Sequence, residues 1–525
     1  MSDLDIISPN TFWEYCVKKI YLLSLLSLVI STSPGLAQKK KPVVVKKPVA
    51  VTNQPAKVSP QTAEVPFVNK TLANGLEVIV LPDASVPIVT VEIAVRNGSF
   101  TEPPELNGLS HLYEHMFFKT NQALLVYGCG QAKKNGNTVY YNSQNCDAQL
   151  KFQNVIGDVN YLGNIGQLGI TYNGETKEEV VNYYFTTTSP YLSTAIQFVK
   201  DSIRFPTFDE EEFAREKEVV IGEIDRNESN PFYYLNHTLM DKLFYKYPTR
   251  KLPLGTRETV ATATTAKMRL IQGRYYVPNN SALVITGNVN PDEAFKYAEQ
   301  YFGDWKPRPV EPFKEFPLVE HPPLPKSDGY IVEQPVANVL INVGWHGPSI
   351  GKDNASTYAA DVFSYIITQP DSKFQRNLVD SGLVAGVSFG YYTQRNVGPI
   401  QVTLVTTPDK AKAALNAVYA EIAQFDKPDY FSDTELENSK TILESQDLFS
   451  REKLSEYAHT LSFWWSSTGI EYYRGYQKNL RAINRTDINR YIKTYIQGKP
   501  HIGVALLSPE SQSQAKLTAA DLIGK

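Results

Sequence analysis

The sequence predicts an α+β fold in two domains. The chain has 525 residues, enough for several cores at roughly 100–200 residues per domain. A proline-rich break at 307–325 places seven prolines in 19 residues, which neither a helix nor a central strand accommodates. Ahead of that break, apolar runs with a period of two give way to helical patterns.

Composition narrows the function. Hydrophobic residues make up 42% of the chain, and 52 Lys+Arg against 55 Asp+Glu leave a net charge of −3, ordinary for a globular protein and no invitation to nucleic acid. Three cysteines without a C-x-x-C spacing give neither a disulfide framework nor a thiolate metal cage. A metal site must use His and carboxylates.

In chain order, Lys18 and Lys19 precede the apolar run from Ile20 to Ile30, and Pro34-Gly35-Leu36-Ala37 supplies small residues. This is the layout of an export signal, residues 1–37, with cleavage expected after Ala37 and with Cys16 removed. A buried helix or an uncleaved anchor is the alternative, but the run falls short of the ~20 residues that span a bilayer, so no stable membrane span is expected. Residues 38–66 mix Lys39-Lys40-Lys41-Pro42 and Lys46-Lys47-Pro48 and read as a linker. A first domain at 67–306, a proline-rich linker at 307–327 and a second domain at 328–525 follow.

The first domain opens with strands. Leu76 to Leu81 is β-rich, Pro82-Asp83 starts a turn, and Val89, Val91, Ile93 and Val95 alternate with Thr90, Glu92 and Ala94, which predicts a hairpin with one buried face. After Asn97-Gly98, Leu109 to Phe118 reads as a largely buried helix carrying His111, Glu114 and His115. At 100° per residue these three lie within an arc of about 100° and converge on one point. Two imidazoles one turn apart can hold Zn²⁺ from one side, and the adjacent carboxylate can take a proton from a water that the metal activates. The order H-x-x-E-H is the inverzincin motif. Core histidines satisfied by the backbone are the blander explanation.

Such a site needs a third protein ligand. Phe208 to Arg226 reads as a helix on which Phe213, Val220 and Ile224 form an apolar stripe, with Glu216 and Glu223 on its border. Two half-buried carboxylates side by side call for a cation. Without the histidines, this Glu-rich stretch would read as a solvated face.

Over about 70–525 the chain resembles the pitrilysin/insulinase family of zinc peptidases, above all its two-domain bacterial members and the mitochondrial processing peptidase. The resemblance rests on Leu72-Ala73-Asn74-Gly75-Leu76, on Asn97-Gly98-Ser99 with Glu102, and on Gly108 to Met116. It rests also on Asn173-Gly174-Glu175-Thr176, Tyr301-Phe302-Gly303-Asp304-Trp305 and the Glu216/Glu223 pair. It implies two homologous α+β domains, each a mainly antiparallel sheet with helices on one face. It also implies one Zn²⁺ on His111, His115 and Glu223, with Glu114 as general base and Glu216 as an auxiliary acidic residue. The family's substrate-binding edge strand matches the region from Asn173 and Gly174 through Tyr183-Tyr184-Phe185, although turn and core roles would suit those residues equally.

Two departures stand out. The distance from His115 to Glu223 exceeds the family's by about 30 residues, which places an insert near 122–155. It holds Cys129 and Cys146, expected to pair in an oxidising compartment, with two free thiols as the alternative. The second domain has no H-x-x-E-H, and Val379 and Ala385 stand where active members of the family carry an Arg and a Tyr that polarise the scissile carbonyl. Arg376 is a possible local substitute. The expectation is a periplasmic or secreted zinc endopeptidase acting on peptides or unfolded polypeptides, with a homologous partner subunit supplying the Arg/Tyr pair. The rival is a non-catalytic peptide-binding or structural subunit.

Overall fold

The computed structural model describes residues 65–525, so the signal segment, nearly all of the linker at 38–66 and Cys16 lie outside the described residues. The first sheet contains β1 (Val68–Thr71), β2 (Glu77–Pro82), β3 (Ile88–Val95), β4 (Thr171–Thr176), β5 (Val181–Thr188) and β6 (Ser281–Gly287), in the order β1-β2-β6-β3-β5-β4. The second contains β7 (Asp328–Glu333), β8 (Val339–His346), β9 (Gly386–Tyr391), β10 (Pro399–Thr406) and β11 (His501–Leu507), in the order β7-β11-β8-β10-β9. Apart from β1, the two sheets share order and direction: β2 and β6 are parallel, as are β7 and β11, and every other pairing is antiparallel. The two-domain α+β repeat is thus visible as repeated topology.

Seven helices concern the site: α1 (Leu109–Phe117), α2 (Gln122–Asn135), α3 (Leu192–Arg204), α4 (Glu210–Glu228), α5 (Tyr233–Leu243), α6 (Asn354–Thr368) and α7 (Leu454–Thr468). In the second sheet α6 occupies the place between β8 and β9 that α1 occupies between β3 and β4.

The expected hairpin of β2 and β3 does not form, because β6 lies between them, parallel to one and antiparallel to the other. Local alternation reports which residues face inward but not which strand is the neighbour, and the wholly buried β6 arrives from about 190 residues downstream. The true hairpin joins β1 to β2 through Asn74 and Gly75, whose φ of +89° is open to glycine. Nor is only one face of β3 buried. Val89, Val91, Ile93 and Val95 join Val78, Val80 and the residues of α1, α3 and α4 in one core. Ala94, with Ile79, Leu81, Ala282 and Val284, faces Tyr457, Ala458, Leu461 and Trp465 in another.

That second layer comes from far along the chain. Helix α7, after the second sheet's hairpin, covers the first sheet, while α5, from the first half, packs on β8 and β11, with Leu239 against Gly344. The two halves exchange a helix and do not pack independently.

The stretch after α1 is helical. Its own small core joins Ala123, Val126, Ile156, Val159 and Leu162, and Cys129 is disulfide-bonded to Cys146. A buried polar patch fastens it to α3: Lys200 Nζ donates to the Ile156 carbonyl at 2.9 Å and pairs with Asp201, which accepts from the Tyr161 hydroxyl at 2.6 Å.

Candidate metal centre

Helix α1 begins where Gly108 adopts φ +85°, pressed against the backbone of Gly255. Its first amides are met from the preceding loop: the buried Glu102 carboxylate accepts from Ser110 N–H at 2.6 Å and Gly108 N–H at 2.8 Å. Placing an anionic acceptor at a helix N-terminus fixes its pitch and azimuth. Leu112, Tyr113 and Met116 enter the core, which leaves His111, Glu114 and His115 on the opposite, partly buried side. Helix α4 is capped by Asp209, whose carboxylate accepts from the amides of Glu211 and Glu212. Its stripe Phe213, Val220 and Ile224 is buried as its spacing requires, and Glu216 and Glu223 emerge beside α1.

The helices bring His111, His115 and Glu223 together, with one donor atom from each lying within 4.8 Å of the others. Glu223 Oε2 is 3.5 Å from His111 Nε2 and 3.7 Å from His115 Nε2. A tetrahedral ion with arms of roughly 2.1 Å has ligand-to-ligand edges of about 3.4 Å, so this donor set fits Zn²⁺ with little movement. The rings stand edge to face at 4.8 Å. His115 Nδ1 meets Glu216 Oε2 at 3.2 Å, an arrangement that fixes the ring and turns Nε2 toward Glu223. Glu216 in turn pairs with Lys119 at 2.6 Å. It lies behind His115 and holds the ring. His111 Nδ1 is buried with no hydrogen-bond partner among the described residues.

The titrations of the metal-free chain follow from this packing. Burial, with His115 alongside, lowers His111 to about 4 against the pull of Glu223, so at neutral pH one of its ring nitrogens keeps a free lone pair. For His115 burial pushes down, but the hydrogen bond to Glu223 and the surrounding carboxylates outweigh it and raise the pKa. Burial pushes Glu223 up, and its bond to His115, with the imidazoles of His111 and His115 beside it, brings it below the usual range.

Glu114 stands apart from this trio, against the edge strand. Its Oε2 accepts from Thr176 Oγ1 at 3.0 Å, and its Cγ is so close to Gly174 that a Cβ there would lie 2.7 Å away. Burial raises its carboxyl to about 7, opposed by His115 and by the Thr176 hydrogen bond. Asn173 and Gly174 both lie on β4, the outermost strand of the first sheet, which pairs only with β5 among the described residues. Gly174 borders Glu114, whereas Asn173 is exposed and its Oδ1 accepts from the Gly174 amide. Thr176 and Glu102 have roles the sequence reading did not assign. For Thr176 a signal existed, since it is two residues from Gly174 and so shares its face of the strand.

At the corresponding place beside the second sheet, Val379 packs partly buried against that sheet's core and Ala385 leads into β9. Arg376 is exposed and donates to the carbonyl of Asp371 in its own turn.

The family model described as insulinase (peptidase family M16) matches residues 78–124 and 158–254, leaving 125–157 unmatched, and the model described as peptidase M16 inactive domain matches 262–443. The uncharacterized zinc protease YmxG of Bacillus subtilis (strain 168) is 25% identical over 385 residues, 73% of this chain and 84% of its own length. Among solved structures, a protease from Helicobacter pylori superposes with a TM-score of 0.69 at 19% identity, over 84% of this chain and 99% of that one. The periplasmic protease PqqL from Escherichia coli superposes with a TM-score of 0.63 at 16% identity, over 87% of this chain and 49% of that one.

Proposed function

Because this chain belongs to the insulinase family, peptidase family M16, we propose that it is a zinc metalloendopeptidase for peptides or unfolded polypeptides. One Zn²⁺ per chain would be held by His111, His115 and Glu223. The observation that carries this reading is the convergence of those three donors, with a separate carboxylate, Glu114, between them and an edge strand. Zn²⁺ bound there would act as a Lewis acid on the scissile carbonyl and would acidify a water at its remaining position.

The residues handle the protons and the positioning. Glu114 accepts the proton of the attacking water and returns it to the leaving amine nitrogen. Thr176 orients the carboxylate, and β4 offers backbone groups to an extended substrate. Glu216 orients His115 as a positioning residue.

Export to the periplasm or beyond is supported by the layout of residues 1–37, and no helix among the described residues is long and apolar enough to cross a membrane. The non-catalytic reading draws on one observation, the stretch 372–386 with Val379, Ala385 and an Arg376 already engaged. A homologous partner subunit carrying the Arg/Tyr pair reconciles both.

Zinc content and cleavage of an internally quenched peptide test the reading, on wild type and Glu114→Gln, alone and with homologous chains. Hydrolysis by zinc-loaded wild type that disappears in a zinc-loaded Glu114→Gln variant is expected. A zinc-free wild type, or a zinc-loaded one inactive with every homologue, would reject the peptidase.

A further inference from the structure

We propose that Glu179 is a positioning residue for Glu114, through which the second sheet's hairpin loop sets the placement of the edge strand. This rests on the peptidase reading above. The turn at 177–180 joins β4 to β5, and the loop at 392–398 joins β9 to β10. The two meet at Glu179, which is 6% exposed. Its two oxygens take successive amides of the loop, Oε2 accepting from Arg395 N–H at 2.7 Å and Oε1 from Asn396 N–H at 2.9 Å. Beside it, the Tyr392 hydroxyl donates to Glu178 Oε2 at 3.3 Å.

Both partners of this contact are braced from behind. Buried Lys251 donates to the carbonyls of Asn396 at 2.7 Å and Val397 at 2.8 Å, and to the side chain of Gln394. Arg395 reaches the carbonyls of Ser466 and Ser467 at the end of α7, at 3.0 and 2.9 Å. The turn lies on Gly98, where a Cβ would stand 2.3 Å from the Lys177 carbonyl, and Phe100 N–H donates to the Glu178 carbonyl at 3.0 Å. A turn wedged between two fixed surfaces leaves β4 little freedom, and three residues before Glu179 is Thr176, bonded to Glu114. The link from loop to general base runs through the two hydrogen bonds of Glu179, the backbone of the turn and the hydrogen bond from Thr176 to Glu114.

A carboxylate suits the junction because one group satisfies two neighbouring amides, of which the Asn396 contact is buried and the Arg395 contact partly so. An amide side chain has one acceptor oxygen and serves one of them. Alanine serves neither and frees the turn.

The experiment compares Glu179→Ala and Glu179→Gln in wild-type and Thr176→Val backgrounds, measuring zinc content, kcat, KM and hydrogen exchange. A shift of the base on the order of 1 Å costs about 10²-fold in rate, so Glu179→Ala is expected to lower kcat by roughly 10- to 100-fold with zinc retained. Glu179→Gln, which keeps an acceptor for one of the two amides, should recover part of the loss. In the Thr176→Val background the same substitution should cost less than about threefold, because residues in one chain of contacts are not additive. Exchange across 171–176 should quicken in Glu179→Ala even in the metal-free chain. Should Glu179→Ala not fold, the Glu179→Gln pair carries the same cycle.

Equal fold-losses in both backgrounds, or unchanged exchange at 171–176, would overturn the proposal while leaving an active wild type and the peptidase reading intact. A zinc-loaded wild type that cleaves nothing overturns the peptidase reading, and with it the role given to Glu179.

Discussion

Gly174→Ala is the smallest change that should disable the site while leaving its metal in place. A Cβ at position 174 would lie 2.7 Å from Glu114 Cγ, 2.9 Å from its Oε1 and 3.1 Å from its Cδ. Carbon atoms rest about 3.5–4.0 Å apart, so close to 1 Å must be found somewhere. The backbone is no obstacle, because Gly174 is not among the residues with positive φ and alanine can adopt its conformation. Glu114 is rooted in a helix whose Leu112 and Tyr113 are fully buried, so its base cannot retreat and its carboxylate must rotate away from Thr176. Misplacing a general base by about 1 Å costs on the order of 10² in kcat, or about 2.7 kcal/mol of barrier. Turnover of an internally quenched peptide, zinc per chain and a thermal melt separate the outcomes. The expected result is a kcat down about 10²-fold, with zinc and melting temperature close to wild type. Wild-type turnover would show that the edge strand yields and the base does not. Loss of zinc together with activity would show that Glu114 is not packed separately from the ligands. Either result refutes the reasoning.

Glu216→Gln keeps an acceptor for His115 Nδ1 but removes the charge shared with Lys119, and should weaken zinc binding by about 10- to 100-fold, measured by competition with a chelator. Replacing both Cys129 and Cys146 by serine opens a 17-residue loop and should lower the stability of the 122–167 segment by about 3 kcal/mol, read as faster hydrogen exchange across α2. Burial raises Asp361 on α6 to about 7, against the hydrogen bond from Tyr476, so the folded chain holds a proton that the unfolded chain has released. Stability should therefore fall as pH rises from about 4 to about 7, and Asp361→Asn should remove that fall. Melting temperatures that diverge at pH 8 and converge near pH 4 are the expected pattern, and parallel curves would contradict it.

Much of the site was legible because it is written in helical periods. His111, Glu114 and His115 share an arc by spacing alone, and the stripe Phe213, Val220 and Ile224 fixes which side of α4 is buried, hence where Glu223 emerges. Strand partners were less legible. The alternation of β3 gave its inward residues, but the insertion of β6 between β2 and β3 depends on a strand roughly 190 residues away, and no local pattern encodes it. The same limit hid α7. Nothing within Ile79, Leu81 and Ala94 distinguishes a face covered by a distant helix from one left to solvent.

What remained unread has a common physical origin, because it lies where separate parts of the chain meet. Glu102 caps α1 from a loop, Thr176 reaches Glu114 across from the edge strand, and Glu179 receives two amides from residues more than 200 positions later. Each is a carboxylate or hydroxyl whose partner is set by tertiary structure, and apart from the strand face that Thr176 shares with Gly174, nothing in sequence sets such a residue apart from other polar groups. The second half, which has no H-x-x-E-H motif, is therefore not idle scaffold: its α7 closes the core behind β3, and its 392–398 loop grips the turn that follows β4. A repeat without the motif can thus keep its geometry, because on the proposed reading the centre in the first sheet draws on a rigid neighbour and not on a second metal.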